Sequence, residues 1–238
     1  MIDIPNYSKK KKELQFYINE LKYLDQVSNF PVNPYERYLN QKLRTRSYTM
    51  QDFIVILKSN AYIMMYNMIE STIKEIIFAL YDNINAANLT YREISLKLQE
   101  LWESHQFENL DKGNAKANKY KQEAHKMITS IIKNNTVKFN NNNIKLSGNA
   151  DFENVLIIMQ KHGIKVDTSH IGKYSDELRN IKNIRNSLAH GGTSFIESGR
   201  DISFNDINKM CMHTEEYLEQ LIKDANYFIW RKQFKNKG

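Results

Sequence analysis

The stretch SDELRNIKNIRNSLAHGG, residues 175–192, has the period of an α-helix and stops on two glycines. At about 100° per residue, Leu178, Ile181, Ile184 and Leu188 fall on one stripe, the expected core face. Ser175 is the expected N-cap, and Gly191 and Gly192 the expected stop. Arg185 falls at the edge of the apolar stripe, where an arginine calls for a carboxylate or another chain opposite it. Asn183, Asn186 and His190 share a different stripe, and Asn186 and His190, four residues apart, are neighbours. Arginine is suited to clamp a phosphate and to stabilise charge that develops on it. Histidine is the usual group for moving a proton at a ribose hydroxyl. Ala189, Gly191 and Gly192 leave room for a ligand or a second chain to approach.

The same period extends outward from this helix. Residues 9–29 place Leu14, Tyr17, Ile18, Leu21 and Leu24 on one face, and Pro31 and Pro34 then break the pattern. A second helix is expected from Pro34 to about Arg46. Residues 49–85 are apolar almost all round, which predicts a helix buried on several sides. Its methionines Met64, Met65 and Met68 read as core filler, and Glu70 stands out on it as a carboxylate that needs a partner. Thr90 and Glu93 form a capping-box pattern ahead of an amphipathic run over 91–106. Residues 114–133 form a further helical run. Around the asparagine tract, residues 137–139 and 144–146 alternate, which suits either a small β-hairpin or an ordered loop. Asp151 opens a helix through Gln160 that Gly163 closes, and Phe204 to about Phe234 forms the last long helix. The expected architecture is an all-α bundle forming one domain over 1–238, with a variable insertion at about 90–165 that carries the hairpin or loop.

Composition agrees with long helices: of 238 residues only 8 are Gly and 3 Pro, too few for the turns of an all-β fold. One cysteine, Cys211, rules out an intramolecular disulfide and a cysteine zinc site. The other histidines (His105, His125, His162, His170 and His213) show no metal-ligand spacing, so no metal or cofactor is expected. No membrane-spanning run is present, the basic N-terminus lacks the apolar core of a signal peptide, and cytoplasmic residence is the expectation. A net charge of +7 suits a phosphate-rich partner and equally suits a solvated basic surface.

RNSLAH, an Arg followed by Asn with a His five positions after the Arg at a helix end, resembles the signature of the HEPN superfamily. The ESTIKEI stretch and the all-helical setting resemble the small stand-alone bacterial HEPN proteins of defence and toxin–antitoxin loci. The resemblance covers residues 49–80 and 175–228, and residues 90–165 lie outside it. With eight arginines and six histidines, about 0.2 such pairs arise by accident, so the surrounding residues carry the specificity. The resemblance implies a metal-independent endoribonuclease that acts as a homodimer, cutting RNA by attack of the 2′-hydroxyl on the adjacent phosphate. His190 then manages the proton, Arg185 holds the phosphate, Asn186 positions either of them, and Glu70 is the acidic partner of Arg185. An antitoxin or other defence-system protein is the implied partner. Some family toxins carry a modified Tyr two places after the motif His; here that position is Gly192, which argues against control by that route.

Geometry adds a requirement. Five residues on a helix turn through about 140° beyond a full circle, so one straight helix cannot aim Arg185 and His190 at one phosphate. Either the helix distorts at Ala189 and His190, or two helices share a cleft across a two-fold axis. In the second case Arg179, Lys182 and Arg185 are expected to line a positive groove. Competing readings are a non-catalytic HEPN module that binds RNA, nucleotide or a protein partner, and a helical interaction protein with a chance motif. In those readings His190 merely ends a helix and Arg185 sits in a salt bridge to Glu70 or Asp176.

Overall fold

The computed structural model describes residues 4–28, 38, 41–42, 48–111, 117–144, 146 and 149–236. Among these the α-helices are α1 (Pro5–Ser28), α2 (Met50–Ala86), α3 (Leu96–Asp111), α4 (Ala117–Ile132), α5 (Phe152–Lys161), α6 (Ser175–Ala189), α7 (Phe195–Arg200) and α8 (Phe204–Trp230). Short 3-10 turns lie at Tyr91–Glu93, Asn141–Asn143 and Gly172–Tyr174. The described residues contain no sheet, only two isolated bridges, so the chain is an all-α bundle. The helix expected between Pro34 and Arg46 falls outside the described residues except for Tyr38, Gln41 and Lys42, which are helical.

α2 is the axis of the bundle. Thr49 and Asp52 close its first turn as a capping box: the Asp52 N–H donates to Thr49 Oγ1 at 3.1 Å, and the Thr49 N–H donates to Asp52 Oδ2 at 2.7 Å. Helices α1, α6, α7 and α8 all pack against α2, which is why its apolar residues run round the whole circumference. Met65, Tyr66, Met68, Ile73, Ile76 and Leu80 are fully buried, each large side chain stabilising the fold by about 1.5–3 kcal/mol. Phe53 is the departure and stays exposed at the start of the helix. One continuous apolar cluster runs from Ile4 to Phe234 and takes in Leu98, Val137 and Phe139 from the middle of the chain.

Of the two forms expected for the asparagine tract, the structure adopts the loop. Val137 and Phe139 point into the core, but no second strand pairs with them. The Asn85 side chain takes a strand's place: the Phe139 N–H donates to Asn85 Oδ1 and Asn85 Nδ2–H donates to the Phe139 carbonyl, both at 2.9 Å. The Val137 N–H is taken by the Leu89 carbonyl at 2.8 Å. With these backbone groups satisfied, a hairpin offers nothing further to that segment.

Three helix boundaries also differ from expectation. The Thr90–Glu93 box caps only a 3-10 turn, because Ile94 bridges to Lys235 and the Ser95 N–H donates to the Phe234 carbonyl, so α3 starts at Leu96. α8 ends at Trp230, where the chain turns back to make those contacts. Ser175 is the first residue of α6 and does not cap it; its hydroxyl donates to Glu153 Oε1 at 3.0 Å.

After α6 the chain is fastened to α2. The Ser59 hydroxyl donates to the Phe195 carbonyl. Gly199 packs so closely that an added Cβ would collide with the Val55 carbonyl oxygen and sit 2.6 Å from Ser59 Oγ. This clamp fixes α7 and thereby the loop that follows His190.

Candidate functional site

The apolar stripe of α6 is where the sequence places it. Leu178, Ile181 and Leu188 are buried, and Ile184 packs on the core. The opposite termini of the helix are held differently. At the start, Arg179 pairs with Glu153 and Asp176, and the Glu177 carboxylate meets His213 Nδ1 at 2.6 Å. One turn further on, Lys182 donates to Asp151 Oδ2 at 2.6 Å. Asp151 is also the N-cap of α5, accepting from the Asn154 N–H at 2.9 Å. Burial pushes the pKa of Asp151 up, and the hydrogen bonds from Lys182 and Asn154 more than offset it, holding the carboxyl below the usual carboxylate range. Arg179 and Lys182 are therefore neutralised within the chain, and of the three cations expected to line a positive groove only Arg185 has no described ion pair.

Arg185 has neither of the partners expected for it. Its guanidinium lies over the Tyr66 ring, 4.4 Å from the centroid, and its Nη1–H donates to Asn186 Oδ1 at 2.9 Å. Tyr66 is fully buried, and its hydroxyl accepts from the Ala150 N–H at 3.1 Å. The ring is thus anchored at its far end and presents its face to the guanidinium, a cation–π contact. Burial pushes the Tyr66 hydroxyl up, so it stays protonated. Glu70, the acid expected to neutralise Arg185, accepts instead from Lys74 at 2.6 Å, one turn along α2. Both line a cavity of about 360 Å³ between α1 and α2 that also includes Lys10 and Glu13. Asp176, the other acid weighed for Arg185, is taken by Arg179. A carboxylate was expected because an arginine on an apolar edge needs compensation; an aromatic face supplies it here while leaving the full positive charge available.

His190 is the C-cap of α6 and is exposed. Its N–H still donates to the Asn186 carbonyl at 3.0 Å, so the helix stays regular to its end. The Gly192 N–H donates to the Ser187 carbonyl at 2.8 Å and the Gly191 N–H to that of Leu188 at 3.4 Å, a Schellman closure. Gly191 takes φ +72, the left-handed conformation this closure requires. Of the two ways expected to bring Arg185 and His190 together, distortion of the helix end is absent. The structure brings Arg185 and Asn186 into contact and sets His190 one turn beyond Asn186, while Glu70 pairs with Lys74.

Sequence reasoning missed Tyr66. The available signal was a tyrosine inside the apolar run IMMYNMIE of α2, where a buried hydroxyl needs a partner. Lys182 and Asp151 were missed as a pair because their contact joins two helices 31 residues apart. His162 is buried: its Nδ1–H faces the Ile158 carbonyl at 2.7 Å and Tyr81 O–H donates to Nε2 at 2.9 Å. Burial pushes its pKa down to about 4, so it is neutral. Cys211 is a buried thiol pushed up to about 12 by burial, as the absence of any nucleophile signature led us to expect. Among the described residues no group of three His, Cys, Asp or Glu could hold a metal ion, and no helix is long and apolar enough to cross a membrane.

The described residues form a helical bundle, as HEPN domains do, and Arg-Asn-x-x-x-His stands at the end of α6. The model of the MAE_28990-like HEPN family matches residues 6–234, and the chain belongs to that family. The matched span includes residues 90–165. No curated protein and no solved structure matches the chain.

Proposed function

We propose that the chain is a metal-independent endoribonuclease acting as a symmetric homodimer, with Arg185, Asn186 and His190 of both copies forming one cleft. The observation that carries this reading is Arg185: a guanidinium held in place by Tyr66 and Asn186, with no ion pair among the described residues, on the helix that ends at the exposed His190. An arginine kept charged and uncompensated is suited to a phosphodiester. Because α6 stays regular to His190, the two side chains of one copy diverge by about 140°, and a second copy supplies the missing geometry.

In the proposed reaction the ribose 2′-oxygen bonds to phosphorus and the bond from phosphorus to the 5′-oxygen breaks. One His190 takes the 2′-hydroxyl proton and the other gives a proton to the departing 5′-oxygen. Arg185 stabilises the charge that builds on the non-bridging oxygens. The products carry a 2′,3′-cyclic phosphate and a 5′-hydroxyl. Membership of the HEPN superfamily supports RNA as the substrate. The role we assign is that of an intracellular toxin or antiviral effector, restrained by an antitoxin or a defence-system partner.

Incubating the protein with single-stranded RNA in EDTA tests the chemistry. Cleavage to cyclic-phosphate ends is expected, and it should vanish in a folded His190→Ala variant. Cleavage that needs a divalent metal or survives that substitution refutes the mechanism. Light scattering at micromolar concentration should give about twice 28.2 kDa. A monomer with full specific activity on dilution refutes the shared cleft.

A further inference from the structure

The end of α8 carries an aromatic and basic surface that the proposed cleft does not use. Trp230 is 71% exposed and Tyr227 52% exposed, whereas the chain's other tryptophan, Trp102, is buried. The two rings lie 6.3 Å apart at 47°. Arg231 spans both, its guanidinium 5.0 Å from the Trp230 ring and 5.8 Å from that of Tyr227. Beside them a groove of about 620 Å³ is lined by Lys165 and Tyr227, and an adjoining one of about 400 Å³ by Lys235; Phe228 and Gln233 border both. Lys165, Lys232 and Lys235 have no ion pair among the described residues. The acids nearby are engaged locally. Asp224 Oδ2 accepts from the Asp167 N–H and from Gln220 Nε2, both at 2.9 Å, and Asp167 Oδ1 accepts from the Ser169 N–H and hydroxyl.

A neighbouring pair of rings left more than half exposed beside cations without a described ion pair suits a contact surface. Flat apolar faces interleaved with lysines and an arginine suit unpaired bases and their phosphates, since every base offers a π face and the cations track the backbone. We propose that this end of the bundle is a second binding surface for single-stranded RNA, with bases stacking on Trp230 and Tyr227 and phosphates meeting Lys165, Lys232, Lys235 and Arg231. The substrate class rests on the ribonuclease reading above. The surface is remote from the motif. Arg185 lies on Tyr66 of α2, whereas His162, just before the loop bordering the groove, is tied to Tyr81, about 22 Å further along a straight helix. RNA held here is thereby kept at high local concentration near the cleft without occupying it.

The test titrates the full chain with a 2′-O-methyl oligouridylate of about 16 nucleotides, which lacks the attacking hydroxyl and spans such a surface. Tryptophan fluorescence should be quenched, and Trp230→Phe should remove that signal while binding, read by anisotropy of a labelled strand, persists. Trp230→Ala with Tyr227→Ala should raise Kd by about tenfold or more. Replacing Lys165, Lys232 and Lys235 by Gln should flatten the dependence of log Kd on log salt by about 2. These side chains lie at the surface, and circular dichroism verifies that the variants fold. Wild-type Kd and salt slope in these variants, or unquenched Trp230 fluorescence at saturation, overturns the proposal and leaves a protein-facing patch. The two readings fail separately. Loss of binding changes with His190-dependent cleavage intact sinks only this surface, and patch-dependent binding without any cleavage sinks only the nuclease.

Discussion

The guanidinium of Arg185 lies 4.4 Å from the centre of the Tyr66 ring, a face-on contact between α6 and the buried axis helix α2. It keeps an arginine at the rim of an apolar core without a counter-ion among the described residues, and it couples the motif to the buried axis of the bundle. The same ring is tethered through its hydroxyl to the Ala150 N–H, so the loop before α5 also contributes to the placement of Arg185.

Replacing Tyr66 separates these contributions. Tyr66→Phe keeps the face and orphans the Ala150 N–H, at a cost of about 1–3 kcal/mol of stability; cleavage should hold within a few-fold. Tyr66→Leu removes the face. A desolvated cation–π contact of about 2 kcal/mol predicts a further loss of roughly 30-fold in kcat/KM. Equal activity in the two variants means the ring does not position Arg185.

Lys182 and Asp151 join α6 to the start of α5, with side chains only 17% and 6% exposed. Lys182→Met strands the Asp151 carboxylate and should cost about 3–5 kcal/mol, while adding Asp151→Asn should recover part of it. Because the pKa of Asp151 is lowered in the fold, its contribution is complete above the unfolded value near 3.9. It is lost as pH falls through the lower folded value. Urea melts of the wild type at pH 5 and below should show that decline, and in Lys182→Met it should be weaker.

Glu70 should matter little to stability. Its partner is Lys74, one turn away and 41% exposed, so Glu70→Gln is expected to cost less than about 1 kcal/mol, a typical figure for such pairs. Had it neutralised Arg185, the cost would be about 3–5 kcal/mol. A thermal melt distinguishes the two outcomes, and a large loss would return Glu70 to the site.

His162 should make the fold sensitive to mild acid. Its folded value of about 4 lies below the ordinary 6.5, so the unfolded chain binds the extra proton first. Stability is fully present above pH 6.5 and declines as pH falls towards 4, by roughly 3 kcal/mol at most. His162→Gln, which keeps an acceptor for Tyr81, should flatten the curve in that window. A curve of unchanged slope would show that His162 is accessible to protons in the fold.

Much of the bundle was legible because its signals are local. The 3.6-residue period of residues 175–190 fixed both the helix and its buried stripe, and Gly191 fixed where it ends, since only glycine enters the left-handed closure there without strain. The all-round apolar run before Asn85 announced a central helix, and Arg185, Asn186 and His190, together with the residues around them and the helical setting, pointed to the HEPN superfamily. Partner choice was not local. Arg185 meets Tyr66, Lys182 meets Asp151 and Glu70 turns to Lys74 because of how α2, α5 and α6 pack, and no periodicity records which side chains face one another across helices. The asparagine tract became a loop because Asn85, more than fifty residues away, satisfies the backbone that a hairpin would otherwise have paired. Sequence sets which groups a helix presents and where it stops; packing decides which of them are compensated, and so which charge is left over for chemistry.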